Sequence, residues 1–261
     1  MKSTNRNLDC SIGKQSENNF RFNLWEKKAY RKDARGIHEK PFTMTIDSFM
    51  ASVKENGFSR PYTQQNADLY RSDAMENHAI PYMAYAFYQF IWDEMKVPSQ
   101  DEFINKYFEL FVQGVRGGKY TFKAQYDSNP ITFTREELVG RLSRSYCSYL
   151  REIQLMLTLG EYRQIDVEYD FRDDLFGGID LAIWRKRDDR FFGIASYVDT
   201  ARSNEWKQGA KNTSRHSYKD EMIDMKASLR RDSNSSVEVN GVKLYSKSFI
   251  DGVVRNRILA S

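Results

Sequence analysis

Residues 177–200 read GGIDLAIWRKRDDRFFGIASYVDT, a pattern that indicates two paired strands. Two short apolar runs, 179–184 and 191–199, flank the polar turn Arg187-Asp188-Asp189. Runs of β-branched and aromatic residues of this length, separated by a tight polar turn, are typical of paired strands. We therefore predict a β-hairpin whose first strand is apolar except for one acid, Asp180.

The sequence on either side extends this hairpin into an α/β domain. Thr134-x-x-Glu137 matches a capping box, in which each side chain accepts a backbone N–H, and a helix over 135–159 follows. The apolar period then changes from about 3.6 to 2, which predicts a strand over 165–171. Helices over 203–215 and 219–231 and a strand over 242–249 complete the order. This order predicts a mixed α/β fold with a helix against one face of the sheet.

The first half of the chain is predicted to be mainly helical. Residues 1–20 are polar and lack apolar periodicity, as in a flexible tail. Apolar spacing predicts helices over 45–56 and 103–115, and an apolar run from Tyr82 indicates a buried helix that Asp93 and Glu94 close. We therefore divide the chain into a tail (1–20), a mainly helical region (21–130) and an α/β domain (131–261).

The composition fits a globular protein inside the cell. The chain has 261 residues, of which 40% are hydrophobic and 29% charged, so it can bury a sizeable core. It contains no apolar run long enough to span a membrane, and the first 20 residues lack the apolar segment of a secretory signal. Cys10 and Cys147 are the only cysteines, which argues against a structural disulfide. We expect a cytoplasmic protein that does not bind membranes.

The charge is unevenly distributed along the chain. Lys and Arg outnumber Asp and Glu over residues 185–261, whereas residues 1–184 carry a small negative excess. A basic segment of this kind suggests a surface that meets phosphate groups. The alternative is a solvated basic face without a partner, and the charge by itself does not decide between them.

Asp180 is the first candidate for chemistry. A carboxylate within an apolar strand is costly to bury unless it is paired, hydrogen-bonded or bound to a metal, although it could also cap the turn at Gly177-Gly178. The order of helix, three-strand meander, helix and strand resembles the core of the PD-(D/E)XK nuclease superfamily, which includes many restriction endonucleases. In this resemblance Asp180 takes the place of the acid on the second strand, and Glu152 that of the acid on the preceding helix.

The third strand departs from the pattern of that family. An acid-x-Lys motif is expected there, but the strand offers Ala195-Ser196-Tyr197 and, at its end, Asp199. Either Asp199 replaces the missing acid or this strand gives no metal ligand. The missing lysine could come from the next helix, as Lys207 or Lys211. The resemblance therefore implies a Mg²⁺ site formed by Asp180, Glu152 and Asp199.

Basic and hydroxyl side chains around this core are candidates for binding nucleic acid. Arg and Lys neutralise phosphates, and hydroxyl groups donate hydrogen bonds to them. The candidates are Arg141, Arg144, Arg202, Ser203, Lys207, Lys211 and Arg215. The alternative is that each is a solvated helix residue. Zinc spacings, a Walker motif, a dinucleotide-binding glycine pattern and a nucleophile elbow are not found in the sequence.

The main functional hypothesis is a Mg²⁺-dependent DNA endonuclease of restriction or phage-defence type. One alternative is a catalytically degenerate relative that only binds nucleic acid, since the acid-x-Lys motif is missing. The other is a protein–protein adaptor whose basic surface contacts an acidic partner. The sequence leaves open whether the protein forms a homodimer.

Overall fold

The computed structural model describes residues 42–56, 83–122, 132–169, 179–200, 204, 222–230 and 233–260. These residues form a mixed α/β fold, as predicted. They fall into two compact units. The first unit contains the described residues up to Leu150 together with Val239–Val242, and the second contains Arg151–Glu238 and the residues from Lys243 onward. None of the described helices is long and apolar enough to cross a membrane.

Helices form most of the first unit. They are α1 (Ile46–Asn56), α2 (Met83–Glu94), α3 (Gln100–Phe111) and the first part of α4 (Arg135–Gly160). Two capping boxes explain where α3 and α4 begin, because Ser99 and Glu102 exchange hydrogen bonds, as do Thr134 and Glu137. The helix predictions at 45–56 and 135–159 are confirmed, and so is the buried helix that ends at Glu94.

Aromatic side chains fill the core of the first unit. The apolar α2 buries nearly its whole surface, in agreement with its sequence. The Phe87 ring lies 5.5 Å from that of Phe103 on α3 and 6.0 Å from that of Tyr146 on α4. The hydroxyl of Tyr146 donates to the carbonyl of Pro98 at 2.6 Å. These contacts hold α2, α3 and the first part of α4 together.

A small antiparallel sheet follows α3. Its strands are β1 (Val112–Arg116), β2 (Lys119–Phe122) and β3 (Thr132–Phe133), in the order β1-β2-β3. Gly117 and Gly118 have positive φ angles of 57° and 73°, which few other residues adopt readily, and they form the turn between β1 and β2. The prediction of a helix through residue 115 is wrong, because the pairing of β1 with β2 ends α3 at Phe111.

The second unit is built around a four-stranded sheet. Its strands are β4 (Ile165–Glu168), β5 (Leu181–Arg185), β6 (Arg190–Val198) and β7 (Met222–Ala227), in that order. The first three form an antiparallel meander, whereas β7 runs parallel to β6. The predicted strands at 165–171, 179–184 and 191–199 are confirmed over the described residues. The turn predicted at Arg187-Asp188-Asp189 is confirmed as well.

The predicted helix over 219–231 is wrong. Residues 222–227 form β7, in which Ile223, Met225 and Ala227 are buried and alternate with more exposed residues. This period of two suits a strand that pairs with β6. The helix predicted over 203–215 falls almost entirely outside the described residues.

A hairpin and a final helix end the described chain. They consist of β8 (Ser236–Val239), β9 (Val242–Tyr245) and α5 (Lys247–Val253), which continues as a π-helical segment at Val254–Leu259. The strand predicted over 242–249 is therefore correct only as far as Tyr245. The Ser246 side chain accepts the backbone N–H of Phe249 and starts α5. The fourth strand of the main sheet is β7, and β9 pairs with β8 instead.

Candidate functional site

Asp180 lies at the start of β5 and is bound to the neighbouring strand. Its backbone N–H donates to the carbonyl of Ile194 at 2.9 Å, and Ile194 also opposes Leu181 in the ladder. Asp180 thus precedes the first paired residue of β5 and is hydrogen-bonded to the same residue of β6. The partly buried Asp180 carboxylate accepts the backbone N–H of Ser196 on β6. This hydrogen bond gives the Ser196 N–H an acceptor beyond the point where β5 begins to pair with β6.

Tyr245, the last residue of β9, lies beside Asp180 and Ser196. Only 2% of Tyr245 is exposed, and its hydroxyl is hydrogen-bonded to the Ser196 side chain. Burial raises the pKa of Tyr245 to about 12, against the lowering effects of Arg151 and of the Ser196 hydrogen bond. The carboxylates of Glu152 and Asp180 raise it as well. The phenol is therefore protonated at neutral pH.

Glu152, on α4, acts on the same phenol through its charge. Both predicted acids thus lie close enough to the Tyr245 hydroxyl to raise its pKa, although 28 positions separate them in the chain. Glu152 is partly buried, like Asp180. The structure therefore brings Glu152 and Asp180 into one polar cluster, which we call the Tyr245 cluster: Arg151, Glu152, Asp180, Ser196 and Tyr245.

Two buried side chains of α4 fix β9 in place. The Gln154 amide donates to the carbonyl of Tyr245 at 2.8 Å and accepts its N–H at 2.9 Å. One turn earlier, Arg151 donates to the carbonyl of Lys243 at 3.2 Å. Because Arg151 is only 7% exposed and is used in this way, it does not form part of an open basic patch.

Asp199 has different partners. Its carboxylate accepts from Lys226 on β7 at 3.0 Å and from Asn204 at 3.1 Å. These two hydrogen bonds lower the pKa of the exposed Asp199 below its usual value. Asp199 and Ser196 are three positions apart in β6 and its extension, so their side chains belong to opposite faces of the sheet. The contacts of Asp199 thus connect β6 with β7.

The three predicted metal ligands do not lie together in the described part of the chain. In the portion of the chain that the structure describes, no three His, Cys, Asp or Glu side chains are grouped so that they could hold a metal ion. Glu152 and Asp180 share the Tyr245 cluster, whereas Asp199 is held by Lys226. Two carboxylates are still a suitable donor set for Mg²⁺, which commonly keeps several water ligands and uses one or two protein carboxylates.

Most of the predicted phosphate-binding residues lie outside the described residues: Arg202, Ser203, Lys207, Lys211 and Arg215. The other two, Arg141 and Arg144, are partly buried on α4 in the first unit. Tyr245 is not among the site residues predicted from the sequence. Its position depends on contacts with α4 across 91 residues of the sequence, and no local motif signals such contacts.

Comparison with known proteins gives no further guide to the function. The sequence matches no protein-family model. No significant match is found among curated proteins or among solved structures.

Proposed function

We propose that the chain is a divalent-metal-dependent endonuclease that hydrolyses phosphodiester bonds in DNA. The observation that carries the proposal is the common position of Glu152 and Asp180 around the Tyr245 phenol. One acid comes from the long helix and the other from the second strand of the meander, as the resemblance to PD-(D/E)XK nucleases implies. Two acids without a shared role would not be expected to act on the same buried phenol.

The order of elements also supports the proposal. The sheet follows α4, and its meander of β4, β5 and β6 is extended by β7 beside the third strand. The resemblance implies the same order, with β7 in place of the strand that we predicted over 242–249. Asp180 stands immediately before the second strand, and its carboxylate accepts the backbone N–H of Ser196 on the third.

The residues of the Tyr245 cluster fit a magnesium ion. Glu152 and Asp180 would hold it, and waters would complete its coordination. Bound Mg²⁺ lowers the pKa of a coordinated water and offsets negative charge on a phosphate. Tyr245 does not compete as a charged ligand, because its phenol is protonated at neutral pH. Its hydroxyl and that of Ser196 hold the polar groups of the cluster in position.

The positive charge near the scissile phosphate remains a prediction. Lys207 and Lys211 follow the third strand in the sequence, and we propose that one of them polarises the attacking water or binds the phosphate. Arg202 and Ser203 would bind the nucleic-acid backbone, as would Arg215. Asp199 would then act by fixing Lys226 rather than by ligating the metal.

Substitution of Asp180 is the sharpest test. Asp180→Asn keeps an oxygen that can accept the Ser196 N–H, so the fold is preserved while the charge needed for the metal is lost. We expect the variant to nick supercoiled plasmid in Mg²⁺ at least about 100-fold more slowly than the wild type, since the removal of a charge-stabilising group from an active site typically costs that much. Glu152→Gln should also cut more slowly than the wild type.

Asp166→Asn is the matched control for this experiment. Asp166 is also a strand acid in the second unit, but its carboxylate pairs with Lys186 at 2.9 Å and is 41% exposed. This variant should cut at the wild-type rate. The thermal midpoints of all three variants show whether folding is intact. If folded Asp180→Asn cuts as fast as the wild type, the assigned site is wrong.

A catalytically inactive nucleic-acid-binding protein is the second candidate. The observation that favours it is the third strand, which lacks the acid-x-Lys motif and offers Asp180 only the backbone N–H of Ser196 as a hydrogen-bond partner among the described residues. This candidate predicts a salt-sensitive gel shift on DNA without cleavage in Mg²⁺ or Mn²⁺. A protein–protein adaptor predicts neither cleavage nor DNA binding at moderate salt.

A further inference from the structure

Arg141 is a charged side chain of the first unit for which the described part of the chain supplies no counter-charge. It lies in the second turn of α4 and is partly buried, and its Nε is enclosed without a hydrogen-bond acceptor. None of the ion pairs found between described residues involves Arg141. A guanidinium has five N–H groups in a rigid fork, and this one is poorly supplied with acceptors.

The groups around Arg141 are polar but uncharged. Burial lowers the pKa of Arg141, whereas Tyr149 and Tyr107 raise it. Tyr107 on α3 is completely buried, and its own pKa is raised well above the usual value, mainly by burial. The Tyr107 hydroxyl is therefore protonated at neutral pH and cannot neutralise the guanidinium. Ser145, one turn along α4, donates to the carbonyl of Arg141 at 3.2 Å.

A bound anion would offset the free-energy cost of burying the charge of Arg141. A guanidinium stays protonated in proteins, so Arg141 cannot avoid the cost of burial by losing its proton. A buried charge without a partner is strongly unfavourable, and replacing such a group with an apolar side chain often stabilises a protein. Arg141 as a whole residue remains partly exposed to the solvent.

We propose that Arg141 is the centre of an oxyanion-binding site in the first unit and that its ligand is a phosphate group, either free or as a terminal phosphate ester. The fork of the guanidinium matches two phosphate oxygens. Tyr149, two turns along the same helix, lies near enough to act on the guanidinium electrostatically. Arg141 belongs to the first unit and the Tyr245 cluster to the second, and the proposal does not depend on the proposed nuclease activity.

Thermal unfolding in different anions tests the proposal. The wild type should be stabilised by inorganic phosphate by on the order of 5 °C at about 100 times Kd, relative to chloride of equal ionic strength. Arg141→Met should lose this response while its midpoint in phosphate-free buffer is equal to that of the wild type or higher. Arg163→Met replaces an exposed arginine of the second unit and should respond as the wild type does.

A second variant tests phosphate binding if Arg141→Met does not fold. Arg141→Lys retains the charge but not the fork, and we expect it to bind phosphate about tenfold more weakly. A 5′-phosphorylated oligonucleotide and its 5′-hydroxyl counterpart identify the source of the phosphate. Tighter binding of the phosphorylated strand than of free phosphate identifies an ester ligand, and equal or weaker binding identifies free phosphate. No phosphate-specific shift in the wild type, or an equal shift in Arg141→Met, would overturn the proposal.

Discussion

Gln154→Leu removes the two hydrogen bonds from Gln154 to the backbone of Tyr245, which we call the clamp between α4 and β9. The wild-type amide makes two hydrogen bonds to the backbone of Tyr245, at 2.8 and 2.9 Å, and Gln154 is only 6% exposed. Leucine has a similar volume, so the change leaves no large cavity. It does leave the N–H and the carbonyl of Tyr245 buried without a partner.

The size of the effect follows from these two groups. A buried polar group that loses its partner costs about 1–3 kcal/mol, so two groups cost about 2–6 kcal/mol. The apolar leucine recovers part of this loss by its own burial. We therefore expect Gln154→Leu to lower the free energy of unfolding by about 2–4 kcal/mol, a large fraction of the roughly 5–15 kcal/mol of a typical domain.

Urea unfolding followed by circular dichroism measures this change. The midpoint should fall by on the order of 1–2 M with little change in the m-value. Gln164→Leu is the matched control, because Gln164 is exposed in the turn before β4 and its change should stay within about 0.5 kcal/mol. A loss below about 1 kcal/mol for Gln154→Leu would show that the clamp does not fix β9 and that the reasoning about Tyr245 is wrong.

Two smaller predictions concern local features of each unit. Burial would raise the pKa of Glu102, but hydrogen bonds from Lys96 and Ser99 lower this pKa overall. The ionised Glu102 carboxylate therefore stabilises the fold above the usual carboxyl pKa. This stabilisation is lost as the pH falls through the lowered pKa of the folded state. Glu102→Gln should therefore be less stable than the wild type by about 0.2–1 kcal/mol at pH 7, with the difference vanishing near pH 3 in urea titrations. In the second unit, Gly193→Ala places a methyl group against the Met222 sulfur and should cost about 1–3 kcal/mol. The change should be coupled to Met222→Ala in a double-mutant cycle, and strictly additive costs would contradict the contact.

The elements that the sequence predicts correctly are those with local signals. The predicted capping box is found at Thr134 and Glu137, and the structure has a second one at Ser99 and Glu102. Their hydrogen bonds join residues three positions apart, so they depend little on the rest of the fold. The turn at residues 187–189 and the apolar period of the strands around it are local in the same sense.

The wrong predictions concern segments whose structure depends on distant partners. Residues 222–227 contain an alternating apolar pattern, but the charged residues around them favoured a helix, and pairing with β6 decides for a strand. Val112 to Val115 would continue α3 by spacing alone, yet the turn at Gly117-Gly118 pairs this segment with β2. In both cases tertiary pairing overrides local preference.

Charge counts from the sequence also overstate the basic surface. Arg185 begins the segment in which positive residues predominate, but it is only 1% exposed. Its guanidinium pairs with Asp188 at 2.6 Å and donates to the carbonyl of Ile258 at 2.5 Å. Arg151 is used similarly inside the second unit. A sequence shows how many charges there are but not which of them reach the solvent.

The charges of the Tyr245 cluster give a second test of the proposed cation. Glu152 and Asp180 both act on one buried phenol, and Arg151 in the same cluster donates to a backbone carbonyl. A divalent cation bound there would be the largest local charge of the site. The neutral Tyr245 hydroxyl adds no charge of its own. The cation would be held by the two carboxylates, and for this reason the effect of Mg²⁺ on the thermal midpoint should be smaller in Asp180→Asn than in the wild type.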